Sequence, residues 1–151
     1  MMGIESCYNY RKISEKVTTS GVIPEHVLVS LREEGYETVI NLLPKNHKKA
    51  VPEEKKIIEA QRISYLSIPV EFDDPKLEEL DQFMTELQKI GDKKIHIHCA
   101  ANWRVSAFYG IYAFQSGLWS KNEATNFISS IWNPAEFPAW SKFLNHFGLR
   151  L

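Results

Sequence analysis

The sequence predicts an α/β fold of three layers, with a mostly parallel central sheet flanked by helices. Three times, a stretch with helical periodicity leads directly into a short, apolar, β-prone run: 24–35 into 38–43, 52–62 into 65–70, and 76–90 into 93–98. The third run ends at Cys99 and passes through a turn into a further, mostly apolar helical stretch. At 151 residues, 44% hydrophobic and 25% charged, the chain has the size and composition of one domain (1–151) with a core that needs no covalent staples.

In order along the chain, Ile13–Thr19 alternates polar and apolar residues and reads as an edge strand closed by Ser20-Gly21. Pro24 suits the start of a helix whose stripe is Val27, Leu28 and Leu31 and which stops at Gly35. Thr38–Leu43 is a buried strand halted by Pro44. The loop 45–50 that follows gathers Lys45, His47, Lys48 and Lys49. Open α/β sheets bind ligands at the C-terminal ends of their strands, so this basic loop is a candidate for holding an anionic substrate as well as a solvated surface loop. Pro52 opens a second helix through Arg62, with Ile57, Ile58 and Ala60 facing inward. Tyr65–Val70 is the next strand, interrupted by Pro69. The acidic turn Glu71-Phe72-Asp73-Asp74-Pro75 leads to a helix over 76–90 with Leu77, Leu80, Phe83, Met84 and Leu87 on its inner face. Gly91-Asp92 ends it, and the strand Lys93–His98 follows. Helices over 121–132 and 138–147 complete the chain, the last with Trp140, Phe143, Leu144 and Phe147 on its apolar side.

The chemistry concentrates at Lys94–Ser106. Ile95 and Ile97 alternate with His96 and His98, and Val105, Phe108, Ile111 and Tyr112 recur at helical spacing, so Cys99–Asn102 is the turn from strand to helix. Such a turn aims unpaired N–H groups at one point and adds the positive end of the helix dipole. A thiol there ionises more readily, and thiolate is the reactive form. Arg104 adds a planar fork of donors that fits an oxyanion. The alternative is a buried structural cysteine at the end of a core strand.

A net charge of −1, from 18 basic and 19 acidic residues, gives no broad attraction to nucleic acid or membranes, so anion recognition has to be local. Two cysteines, Cys7 and Cys99, do not make a disulfide framework, although a bridge between them would silence Cys99. No run is apolar and long enough to span a membrane, and Glu5 and Asn9 stand where a signal peptide would be apolar; a cytoplasmic protein is expected.

The strand, the His98-Cys99 pair, the turn, Arg104 and the helix resemble the signature of cysteine-dependent protein tyrosine phosphatases, above all the small dual-specificity-like ones. Thr19-Ser20-Gly21, Val39-Ile40-Asn41-Leu42, Ile68-Pro69-Val70 and His98-Cys99-Ala100-Ala101-Asn102-x-Arg104-x-Ser106 are similar to a small bacterial phosphatase-like family, from about Ile13 to the last helix. The resemblance implies hydrolysis of a phosphomonoester, of phosphotyrosine type or related, through a cysteinyl-phosphate. Cys99 would attack phosphorus, and the amides of Ala100, Ala101, Asn102, Trp103 and Arg104 would hold the oxygens. Arg104 would follow their charge into the transition state, Ser106 would help the thiolate leave, and His98 would orient the loop. No metal or other cofactor is implied. The implied partner is a phosphorylated substrate, protein or small molecule.

The general acid is sought on the acidic turn. Asp73 and then Asp74, 26 and 25 positions before Cys99, are the candidates, and either could instead cap the helix that follows. The chain departs from the usual phosphatase loop by having four residues between Cys99 and Arg104 rather than five, and by placing Val105 before Ser106. One residue fewer turns Arg104 by about 100° around the helix unless the helix starts earlier, and predicts slow turnover. Asn102 stands where the usual loop has glycine, in a position suited to a left-handed turn. The shorter ring also resembles that of rhodanese-like sulfurtransferases, in which Cys99 would carry a persulfide. A phospholigand-binding module without turnover is the third reading.

Overall fold

The computed structural model describes residues 3–151. Strands β1 (Arg11–Lys12), β2 (Val17–Ser20), β3 (Thr38–Asn41), β4 (Ser64–Ser67) and β5 (Ile95–His98) form one sheet in the order β1-β2-β5-β3-β4. All neighbours are parallel except the β1–β2 pair at the edge. The expected edge strand over 13–19 is therefore divided. Residues 11–12 form the edge and Val17–Ser20 is an interior strand, because the Ile13 and Ser14 amides both turn back onto the Val17 carbonyl.

Helices α1 (Glu25–Leu28) and α2 (Glu54–Glu59) cover one face of the sheet; α3 (Leu77–Ile90), α4 (Trp103–Gln115), α5 (Lys121–Ser129) and α6 (Pro138–His146) belong to the other. The alternation of the strands sorts their side chains accordingly. Val39 packs with Val27, Leu28, Leu31 and Ile58, while Ile40, Ile95 and Ile97 pack with Leu80, Phe83, Phe108 and Trp140. His96 and His98 alternate with the isoleucines in β5 and so point to the α1/α2 face.

Helix α1 is shorter than its periodicity suggests. The Gln61 side chain takes the Leu28 carbonyl at 2.7 Å, and the chain continues to Gly35 in turns whose amides bond three residues back, with Leu31 still buried. Ala60 lies past the end of α2 and is exposed, and Leu77, at the first turn of α3, is 45% exposed; both were expected inside. Neither Asp73 nor Asp74 caps α3. The Lys76 amide instead donates to Glu79 at 2.9 Å, and Asp74 lies 3.9 Å from the Lys76 ammonium. Helix α4 is buried on almost every side, and at Gly110 a Cβ would come within 2.7 Å of Ile128, so α4 and α5 approach closely there. Among the described residues no helix is long and apolar enough to cross a membrane.

Candidate active site

Strand β5 lies between β2 and β3, with Ser20 and Asn41 on either side of His98, so three parallel strands end together where Cys99 begins the turn. Asn102 closes the turn in the left-handed region, at φ 67°, as its position in the sequence predicts. Its side-chain amide donates to the Asn9 carbonyl at 2.8 Å and to Thr19 Oγ1 at 2.9 Å, and Asn9 in turn donates to the Ala101 carbonyl at 2.9 Å. Gly21 is needed because the turn lies directly on it: a Cβ there would sit 2.4 Å from the Ala100 carbonyl oxygen. Among the described residues the backbone amides of Ala100, Ala101, Trp103 and Arg104 have no acceptor, leaving a nest of N–H groups at the start of α4.

Ala100, Ala101, Trp103 and Arg104 open onto a surface pocket of about 490 Å³. Its lining combines aromatic residues, Tyr8, Phe72 and Trp103, with His47, Lys48 and Lys49. Loop 45–50 thus stands beside the reactive turn, and Trp103 and Phe72 help shape the pocket. Arg104 is 6% exposed. Its Nε donates to the Val70 carbonyl at 2.8 Å and its guanidinium lies 5.3 Å from the Phe72 ring, which ties the turn to the end of the Ile68-Pro69-Val70 segment. Among the described residues its terminal nitrogens make no hydrogen bond. Burial, and then the positive charges of Arg104, Lys48 and Lys49, lower the pKa of His47 below its ordinary value, so it faces the pocket largely neutral.

Several expected site residues are placed differently. Cys99 is fully buried beneath the turn and does not line the pocket. Ser106 is buried with its hydroxyl committed elsewhere: it donates to the Trp103 carbonyl at 2.9 Å and accepts from Trp132 Nε1 at 3.0 Å. With Val105 inserted after Arg104, the hydroxyl has turned toward Trp132 and makes no hydrogen bond with Cys99. Asp73 and Asp74 are exposed and outside the pocket, Asp74 lying beside Leu77 and His146. Cys7 and Cys99 are both free thiols, and burial raises the pKa of Cys7 to about 11.

Two histidines two residues apart in β5 are wired differently. The Ser20 hydroxyl donates to the Gly21 carbonyl at 2.8 Å, so it can only accept from His96 Nε2 at 2.7 Å. His96 Nδ1 is then the acceptor for Thr18 at 2.7 Å, and Tyr36 donates to Thr18 at 2.7 Å. His96 is neutral, and burial and the neighbouring His98 hold its pKa well below the ordinary value. His98 Nε2 meets Glu54 Oε2 at 2.6 Å, and its Nδ1 faces the Cys99 carbonyl at 3.2 Å. Glu54, Tyr8 and Asn9 were not foreseen as parts of this region. Glu54 lies among the charges Glu53–Lys56, and the only signal at Asn9 is a small polar residue next to an aromatic one.

The fold is that of the protein tyrosine and dual-specificity phosphatases, a phosphatase-type fold. A provisionally named phosphatase (DUF442) from Shewanella putrefaciens CN-32 superposes with a TM-score of 0.86 at 28% identity, over 97% of this chain and 95% of that one. TpbA from P. aeruginosa, in a form with a cysteine-to-serine change and in complex with pTyr, gives 0.70 at 16% identity over 89% and 81%. The core catalytic domain of the PP-IP phosphatase SIW14 from S. cerevisiae, in complex with citrate, gives 0.68 at 13% over 96% and 98%. At such identities the last two show the fold alone. No protein-family model matches the sequence, and none of the curated proteins does.

Proposed function

We propose that the chain hydrolyses phosphate monoesters through a phosphorylated cysteine, with aryl phosphates of phosphotyrosine type among its substrates. One observation carries the reading. Four backbone amides without protein acceptors and the free end of the Arg104 guanidinium converge on one pocket, directly after a cysteine at the end of the central strand. A phosphoryl group seated in that nest has its oxygens bound by the amides of Ala100, Ala101, Trp103 and Arg104, and two of them by the guanidinium. Cys99, as thiolate, attacks phosphorus from below, and the alkoxide or phenolate leaves toward the pocket mouth. Tyr8, Phe72 and Trp103 offer aromatic contacts for the ring of an aryl ester, and Lys48 and Lys49 attract the anion. Water then cleaves the cysteinyl-phosphate.

The proton for the leaving group is assigned to Asp73, which lies outside the pocket on the turn that Arg104 anchors through Val70 and must swing inward to reach the substrate. His98 orients the turn through the Cys99 carbonyl. Ser106 contributes by fixing Trp132 and the first turn of α4, rather than by a hydrogen bond to sulfur.

The burial of Cys99 favours a second reading, in which the nest binds a phospholigand without turning it over. The two separate in one set of assays: release of phosphate from an aryl phosphate by the wild type and by Cys99→Ser, with cyanolysis of thiosulfate as a control for sulfur transfer. Hydrolysis lost in the variant supports the phosphatase. Phosphate binding that survives in both, without hydrolysis in either, supports the binding module. Cyanolysis that depends on Cys99 refutes both.

A further inference from the structure

We propose that Glu54 is a positioning residue for the reactive turn, holding His98 as a buried imidazolium whose second N–H is donated to the Cys99 carbonyl. The hydrogen bonds around Glu54 support this. Asn41 takes the Leu43 amide on its Oδ1 at 2.8 Å and donates through Nδ2 to the Tyr65 hydroxyl at 2.9 Å. Tyr65 therefore gives its own proton to Glu54 Oε2, at 3.1 Å. Burial, and next the Glu54 charge, push the Tyr65 phenol well above its ordinary pKa, which keeps it a donor. The same Oε2 lies 2.6 Å from His98 Nε2, so one proton lies between them, and it is assigned to the imidazole, the stronger base of the two. Its Nδ1 faces a carbonyl oxygen, which only accepts, at 3.2 Å, so that nitrogen carries one as well.

Residues Glu54 and His98 are 5% and 1% exposed, and a buried charge of either sign without the other is costly. The groups facing the pair are Tyr65 from β4, Asn41 from β3 and the neutral His96 ring 6.4 Å away in β5; Glu53, Lys45 and Lys55 share with Glu54 the wall of a separate pocket of about 390 Å³. The neutrality of His96 fits a permanent cation at its side. The consequence for turnover rests on the reading proposed above: an N–H fixed on the Cys99 carbonyl orients the peptide that opens the nest.

The test is ¹⁵N spectroscopy of the imidazoles at neutral pH in the wild type, Glu54→Gln and Glu54→Asp, with His98→Asn to assign the signals. The wild type is expected to show His98 protonated on both nitrogens and His96 on Nε2 alone. Glu54→Gln, which can still accept a hydrogen bond but has no charge, is expected to leave His98 neutral, and Glu54→Asp to keep the cation. A neutral His98 in the wild type overturns the proposal, and this spectrum needs no variant to fold. A His98 cation that persists in folded Glu54→Gln overturns it too. On an aryl phosphate, kcat of Glu54→Gln is expected to fall about ten- to hundredfold with KM little changed. If the protein hydrolyses nothing while His98 is a Glu54-dependent cation, the phosphatase reading fails and this one stands.

Discussion

The His96 network makes stability depend on acidity in a way that can be measured. His96 is fully buried, accepts from Thr18 on Nδ1 and donates to Ser20 from Nε2; a second ring proton would put a charge in the core and force the Thr18–Tyr36 hydrogen bonds to reverse. Its pKa in the folded state is far below 6.5, the value it regains on unfolding. Above that value both states are neutral and the group is silent. Below it the unfolded chain binds a proton that the folded one refuses, so stability falls with pH until the folded-state value is reached. Well below 6.5 the slope approaches one proton, about 1.4 kcal/mol per pH unit. The perturbation is His96→Gln, which keeps a donor and an acceptor but does not titrate. Urea unfolding of both proteins across this range gives the difference in stability at each pH, in which the carboxylates common to both cancel. The wild type should lose its advantage over the variant at that slope. A difference that stays flat as the pH falls would refute the assignment of a neutral, doubly bonded His96.

Three further outcomes are expected. Gly21→Ala drives a Cβ to 2.4 Å from the Ala100 carbonyl, so it should cost about 1–3 kcal/mol in urea unfolding and also weaken phosphate or vanadate binding, because the turn itself must move. Arg104→Lys keeps the charge but loses both the Nε bond to Val70 and the two-pronged grip on an oxyanion; vanadate affinity, measured by inhibition, should fall about tenfold or more. Asp73→Asn should slow hydrolysis of an aryl phosphate with a poor leaving group by about a hundredfold and barely affect one with a good leaving group, and equal rates on both would remove Asp73 from the mechanism.

Much of this architecture is legible in the sequence, because it is carried by local pattern. The alternation of helix and buried strand gives the layers, and the passage from Ile97 to Val105 gives the strand–turn–helix. A residue able to adopt a left-handed turn is visible at Asn102. What was hidden depends on contacts between distant segments. Gln61 ends α1 by reaching Leu28, and no periodicity within 24–35 contains that. Glu54 looks like one charge among several until α2 is laid on β5 beside His98. Ser106 holds the place of a hydroxyl that would assist sulfur, but the inserted Val105 and the indole of Trp132 redirect it. The Asp-Asp-Pro turn looks like a helix cap, yet Glu79 satisfies the Lys76 amide from inside α3. Tyr8 and Asn9 lie in a segment whose pattern predicts no element, and they are tied to the site by the Gly21 amide on the Tyr8 carbonyl and by the Asn9 and Asn102 side-chain amides.

Cysteine chemistry at the start of α4 is tested most directly by rapid quenching of the wild type with an aryl phosphate, followed by peptide mass spectrometry. A phosphoryl group on the peptide that contains Cys99, absent from Cys99→Ser and from the peptide that contains Cys7, is the expected result. Hydrolysis without any such adduct, or at an equal rate in Cys99→Ser, would contradict the account.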